Sequence, residues 1–199
     1  MATMYDPEIA SDPLIDPARR RYSGVAMAFH WVIAILVIMN WQIAERAQNL
    51  EGPTAGAVWN YHKALGITIL VLTLGRISWK LAHPGPPFPA HHKPWERALA
   101  RTVHFTFYAL LLALPLAGWL ANSLGGGTID FFGLFTIPAL PVGPNKDLGG
   151  AIFDLHATTG KFLLLLAGLH ILGVVKHLVI DRDGELFRML PFGRVGKRP

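Results

Sequence analysis

The chain has 199 residues, 52% of them hydrophobic and 16% charged, with a mean hydropathy of +0.37 and a formal net charge of +5. A soluble domain carries about 25% charged residues, so the composition points to one integral membrane domain rather than a soluble enzyme, and no basic helix interleaved with aromatics or nucleic-acid motif accompanies the positive charge, which argues against a nucleic-acid partner. Cysteine is absent, which excludes disulfides and thiolate-held metal clusters.

The opening segment (MATMYDPEIASDPLIDPARRRYSG) is polar, acidic and punctuated by proline. It lacks the apolar core of a signal peptide and reads as a flexible arm over residues 1–21, followed by one membrane domain over 22–199. Four apolar stretches then reach the length of about 20 residues that a bilayer requires. They run from about Val25 to Ala44, Tyr61 to Leu81, Val103 to Asn122 and Leu155 to Ile180. The expected fold class is therefore all-α, an integral membrane four-helix bundle. Pro115 and Gly118 fall inside the third stretch, where a membrane helix tolerates both and the proline is expected to kink it. The connection PGPPFPAHHKP (residues 84–94) reads as extended, with His83, His91 and His92 around it solvated; zinc is the alternative, a weak signal because the loop has no second ligand cluster. The connection over 125–150, rich in glycine and proline, reads as a long functional loop that caps the opposite surface or docks a partner.

Fourteen of the eighteen lysines and arginines lie before the first span, around the second connection, or after the fourth span. Among these are Arg19, Arg20, Arg21, Arg76, Lys80, Arg101, Arg194, Lys197 and Arg198. The positive-inside rule places both termini in the cytoplasm. Orientation then fixes the depth of each histidine. His30 lies near the cytoplasmic end of the first span, His62 near the outer end of the second, His156 at the outer end of the fourth, and His170 toward the cytoplasm. His156 and His170 are fourteen residues apart, roughly 21 Å along a helix and on nearly the same face.

Matching depths gives two pairs, His62 with His156 and His30 with His170. A lone imidazole in an apolar helix is usually satisfied by a backbone carbonyl. Four that pair by depth, from facing helices, suit the axial ligation of two haems of the b type, because iron occupies the nitrogen that hydrocarbon would leave bare. With no cysteine, covalent attachment of a c-type haem is excluded.

His104 and His177 sit near the cytoplasmic ends. They read either as interfacial side chains or as the wall of a quinone pocket, since a quinone needs hydrogen-bond donors and proton carriers. Arg76, Lys80 and Arg101 read as anchors of the cytoplasmic boundary or as partners of haem propionates. On the outer side Lys63, Lys161 and Arg46 could pair propionates or draw in a small anion.

RYSGVAMAFHW, YHKALGITILVLTLGRISWKLAHPGPP, VHFTFYALLLALPLAGW, DLHATTGKFLLLLAGLH and LFRMLP, in this order and spacing, resemble the bacterial cytochrome b561 family over nearly the whole membrane portion. The resemblance implies a four-helix bundle of the bacterial inner membrane with two b-type haems on His30, His62, His156 and His170. One branch of that family oxidises superoxide at the outer face and reduces ubiquinone at the inner face, with histidines matching His104 and His177 in the quinone pocket. Three functions remain open at this point. They are a superoxide:ubiquinone oxidoreductase, a haem subunit passing electrons between quinol and a periplasmic redox protein, and a histidine-lined metal transporter. The last expects intramembrane carboxylates beside the histidines, whereas Asp154, at the mouth of the fourth span, is the acidic residue near a ligand.

Overall fold

The computed structural model describes residues 21–89, 92–193 and 195. The arm before residue 21, with Arg19 and Arg20, lies outside the described residues, as do His91, Arg194, Lys197 and Arg198. Four helices are long and apolar enough to cross a membrane. They are α1 (Gly24–Gln48), α2 (Gly52–Ala82), α3 (Pro94–Leu124) and α4 (Lys146–Lys176). Each overruns its apolar stretch, because capping residues and not hydropathy set the ends. Ser23 Oγ accepts the amide of Ala26 at the start of α1. Pro94 opens α3 at a position where its missing N–H costs nothing, and Glu96 reaches back to the Lys93 amide. Asn145 caps α4 through the Leu148 amide, some nine residues earlier than the apolar run suggests. Asp154 consequently lies inside α4 on an exposed face, not at a helix mouth. At 31 residues, α2, α3 and α4 are each about 46 Å long, more than the roughly 30 Å hydrocarbon core. α3 runs through Pro115 as a single helix.

In the bundle α1 packs along α2, α2 along α3, and α3 along α4. Few side chains are buried by protein alone. They include Ile33 and Asn40 of α1, Ala64, Ile69, Leu70 and Thr73 of α2, Leu114 of α3, and Leu163 and Leu166 of α4. Large apolar side chains such as Ile35, Val71, Leu74, Phe105, Leu165 and Ile171 point outward, as the lipid-facing surface of a membrane bundle requires.

The connection expected over 125–150 is shorter, ending where α4 begins at Lys146. It contains an antiparallel hairpin, β1 (Ile129–Phe131) and β2 (Phe135–Ile137), with Ile129 opposite Ile137. Ile129 is buried, and Asn60 of α2 brackets Asp130, donating to its carbonyl at 2.8 Å and accepting its amide at 3.2 Å. Trp119 Nε1 donates to the Pro138 carbonyl and Ser123 Oγ accepts the Leu140 amide. The loop therefore covers the end of the bundle that carries His62.

At the opposite end, the chain leaving α4 widens into a π-helical turn (His177–Asp181), then a 3-10 turn (Glu185–Met189). Arg188, buried, donates to the Pro87 carbonyl and pairs with Glu185. Trp79 Nε1 donates to Ser23 Oγ, and Trp31 Nε1 to the Met189 carbonyl.

Asn60→Ala removes two hydrogen bonds to the hairpin, together worth about 2 kcal/mol. Limited proteolysis is expected to cut faster within residues 125–145, while the far-UV circular dichroism of the helices is unchanged.

Candidate functional site

α4 supplies one histidine at each of two levels. It is α-helical without interruption from Lys146 to Lys176, so His156 and His170 are separated by roughly 21 Å along one rod. The His62 ring of α2 faces His156 with centroids 6.1 Å apart and planes at 87°. The His30 ring of α1 faces His170 at 6.4 Å and 72°. The pairs found are those that depth alone predicts. α4 packs along α3 but not closely along α1 or α2, so the imidazoles are what spans the distance between them.

Hydrogen bonds fix the ring nitrogens of the first pair. His62 Nδ1 donates to the carbonyl of Asn40 at 3.1 Å, and His156 Nδ1 to the carbonyl of Leu114 at 2.9 Å. A carbonyl only accepts, so the proton is on Nδ1 and the lone pair on Nε2 in both rings. Metal-ligating histidines are held in this way, with the second N–H given to a carbonyl. Gly118 of α3 provides the seat for His156. A Cβ there would lie 3.2 Å from the ring's Cε1 and 3.4 Å from its Nδ1. Trp59 stands edge-on to His62 at 5.7 Å. At the second level His170 is enclosed by His30, by His104 at 5.8 Å and by Phe107 at 5.5 Å, while Trp31 flanks His30 at 5.2 Å.

The geometry can be tested against a metal between two rings. A metal–imidazole bond of about 2 Å, plus roughly 1 Å from nitrogen to ring centre, puts the centres of two opposed imidazoles about 6 Å apart. Both pairs meet that separation. Two buried oxygens nearby, Asn40 Oδ1 and Thr73 Oγ1, have no hydrogen-bond partner among the described residues, a further sign that the interior is shaped for more than protein.

The other residues singled out from the sequence divide. Lys63 lies beside His62 and donates to Asn122 Oδ1 at 3.2 Å. Arg76 donates to the Tyr108 hydroxyl at 3.0 Å, Lys80 lies 4.9 Å from the centre of the same ring, and Arg101 lies over Phe88. His104 is brought to the His170 level. His177 follows α4 directly, its amide still donating to the Gly173 carbonyl, and opens the π turn; its Nδ1 meets Asp183 Oδ2 at 2.7 Å and Asp181 Oδ2 at 3.0 Å. Of the loop histidines, His83 is exposed, as expected, and stacks on Trp79 at 3.8 Å, whereas His92 is buried with its ring 5.2 Å from that of His177. His92 and Asp183 were missed by the sequence reading, as were the Asn40 and Leu114 carbonyls, since no local pattern marks a backbone acceptor.

Residues 21–192 match the family model of prokaryotic cytochrome b561. The chain belongs to that family. It is 32% identical over 178 residues to "Cytochrome b561 homolog 2" of Escherichia coli K12, covering 85% of this chain and 91% of that protein. It is 31% identical over 176 residues to "Probable superoxide oxidase CybB" of Yersinia pestis, covering 86% and 97% respectively. "Cytochrome b562" of Cereibacter sphaeroides is 28% identical over 85% of this chain and 94% of its own length. Membership in the cytochrome b561 family makes the protein a membrane-spanning electron-transfer cytochrome with b-type haem.

Gly118→Leu is expected to push the His156 ring from its seat and lower haem absorbance per protein. Gly168→Leu, where nothing lies within 4 Å, is the control and should leave the absorbance unchanged.

Proposed function

We propose that this cytochrome b561 carries two b haems, one between His62 and His156 and one between His30 and His170, and moves electrons between the outer face and the quinone pool. The observation that carries the reading is the pair of imidazole separations, 6.1 and 6.4 Å, at two levels of a single helix. Bound haem supplies reversible one-electron chemistry at each level. The chain's part is to hold the rings opposed, direct the Nε2 lone pairs of His62 and His156 inward through the Asn40 and Leu114 carbonyls, and keep water out. In this reading both termini are cytoplasmic in a bacterial inner membrane, as the basic residues at the His30 end favour.

The reaction assigned is oxidation of superoxide at the His62–His156 end coupled to reduction of ubiquinone at the His30–His170 end. Two superoxide ions each give up one electron and become dioxygen, and ubiquinone takes two electrons and two protons. Support comes from the 31% identity to a relative named as a probable superoxide oxidase and from Lys63, a half-buried cation beside His62. Attraction of a small anion needs only such a charge. On the other side, His104 beside His170 would donate to a quinone carbonyl, and His177, hydrogen-bonded to buried Asp183, would pass protons. Arg76 and Lys80, grouped around Tyr108, would neutralise propionates.

A second reading is favoured by the hairpin, where Leu134 and Phe135 are exposed. Such a tip suits contact with a periplasmic redox protein, making the chain a haem subunit without its own substrate. A superoxide-driven quinone reduction assay separates the two. Turnover by the wild type supports the oxidoreductase, and its absence in protein with full haem content favours the subunit. His177→Ala is expected to keep the haem spectrum and lower quinone reduction by about 10²-fold, the usual size of a lost proton carrier. Unchanged turnover removes His177 from the pocket.

A further inference from the structure

A second cluster of ligating side chains lies outside the bundle interior. His92, from the loop before α3, and His177 and Asp183, from the turn leaving α4, each offer one ligand atom, and these atoms lie within 4.8 Å of one another. All three are removed from bulk solvent, with 8% of His92, 23% of His177 and 1% of Asp183 exposed.

We propose that His92, His177 and Asp183 form a divalent transition-metal site that joins the loop before α3 to the turn after α4. The donor set, two imidazoles and one carboxylate, is the one that zinc and its neighbours prefer. The spacing fits. Around a tetrahedral zinc with bonds of about 2 Å, ligand atoms sit roughly 3.4 Å apart. The distances to Asp183 Oδ2 bracket that value, 2.7 Å from His177 Nδ1 and 3.7 Å from His92 Nε2. The longer one exceeds a hydrogen bond. The carboxylate is already oriented. Its other oxygen accepts the Glu185 amide at 3.1 Å, and the Asp183 amide donates to the His177 carbonyl. Such outer contacts are what fixes a ligand in a metal site.

Neighbouring charges do not oppose a cation. Lys176 is held by Glu96 at 3.1 Å and Asp181 at 2.8 Å, and Arg188 is held by Glu185. Water fills the fourth position, since Asp181 Oδ2, 3.0 Å from His177 Nδ1, is the atom that holds Lys176. The backbone that makes this possible is unusual, with Arg182 and Gly184 in the left-handed region at φ 52° and 72° on either side of Asp183. The turn thus holds Asp183 inward against His92.

The test uses full-length, haem-loaded protein in detergent with any purification tag removed, equilibrated with Zn²⁺ and freed of excess. About one zinc per chain is expected by elemental analysis, with two imidazoles in its shell by zinc K-edge absorption. His92→Gln and Asp183→Asn should each weaken zinc affinity by at least about 10-fold, with the haem spectrum unchanged, while His83→Gln should bind as the wild type does. His92→Gln decides the matter if loss of the buried Asp183 carboxylate impairs folding. Wild-type protein that retains no zinc, or equal retention in His92→Gln, overturns the site. Metal on His177 Nδ1 displaces the proton that the quinone reading routes through His177 and Asp183, so that relay belongs to the metal-free protein; retention is measured without turnover, so the two readings fail separately.

Discussion

Two imidazoles on one membrane helix set the terms for the rest of the molecule. A ring nitrogen left bare in hydrocarbon is costly, and α4 places one near each end of its apolar length. Every other element answers that cost. α1 and α2 each bring a second ring to the matching level. The carbonyls of Asn40 and Leu114 take the Nδ1 protons of the pair at one end, which leaves the lone pair of each ring on Nε2. Gly118 gives up a side chain so that His156 can reach that position. The same constraint explains why α4 packs along α3 yet stands off from α1 and α2. A close-packed interface there would leave no room between opposed rings.

The two ends of the bundle are finished differently. At the His62–His156 end, the chain folds a glycine-rich connection into a hairpin and ties it down with Asn60, Trp119 and Ser123. Phe132, Leu134 and Phe135 are exposed around the tip. At the His30–His170 end, the closing turns are held by polar and charged groups, with Arg188, Glu185, Asp183, His177 and His92 gathered below the bundle.

Much of this was legible in the sequence because membrane physics is one-dimensional. Hydropathy gave four spans, basic residues gave an orientation, and orientation gave depth, which was enough to pair His62 with His156 and His30 with His170. What escaped needed three dimensions. His92 looked solvated in a proline-rich connection, and its partners His177 and Asp183 lie far along the chain, beyond two spans. The partners of His177 were hidden because the π turn that follows it brings Asp181 and Asp183 back to its ring. Helix starts were placed late because Asn145 and Pro94 begin helices well before their residues turn apolar. The hairpin was hidden because its stability comes from Asn60 of α2, not from its own short strands.

The most direct measurement is electron paramagnetic resonance of the oxidised protein. The opposed imidazole planes stand at 87° and 72°, and near-perpendicular axial imidazoles give low-spin ferric haem a strongly anisotropic signal. Two such signals of equal intensity, one removed by replacing His62 and the other by replacing His30, are the predicted result. A single signal, or a high-spin spectrum in fully haem-loaded protein, would contradict ligation at two levels of the bundle.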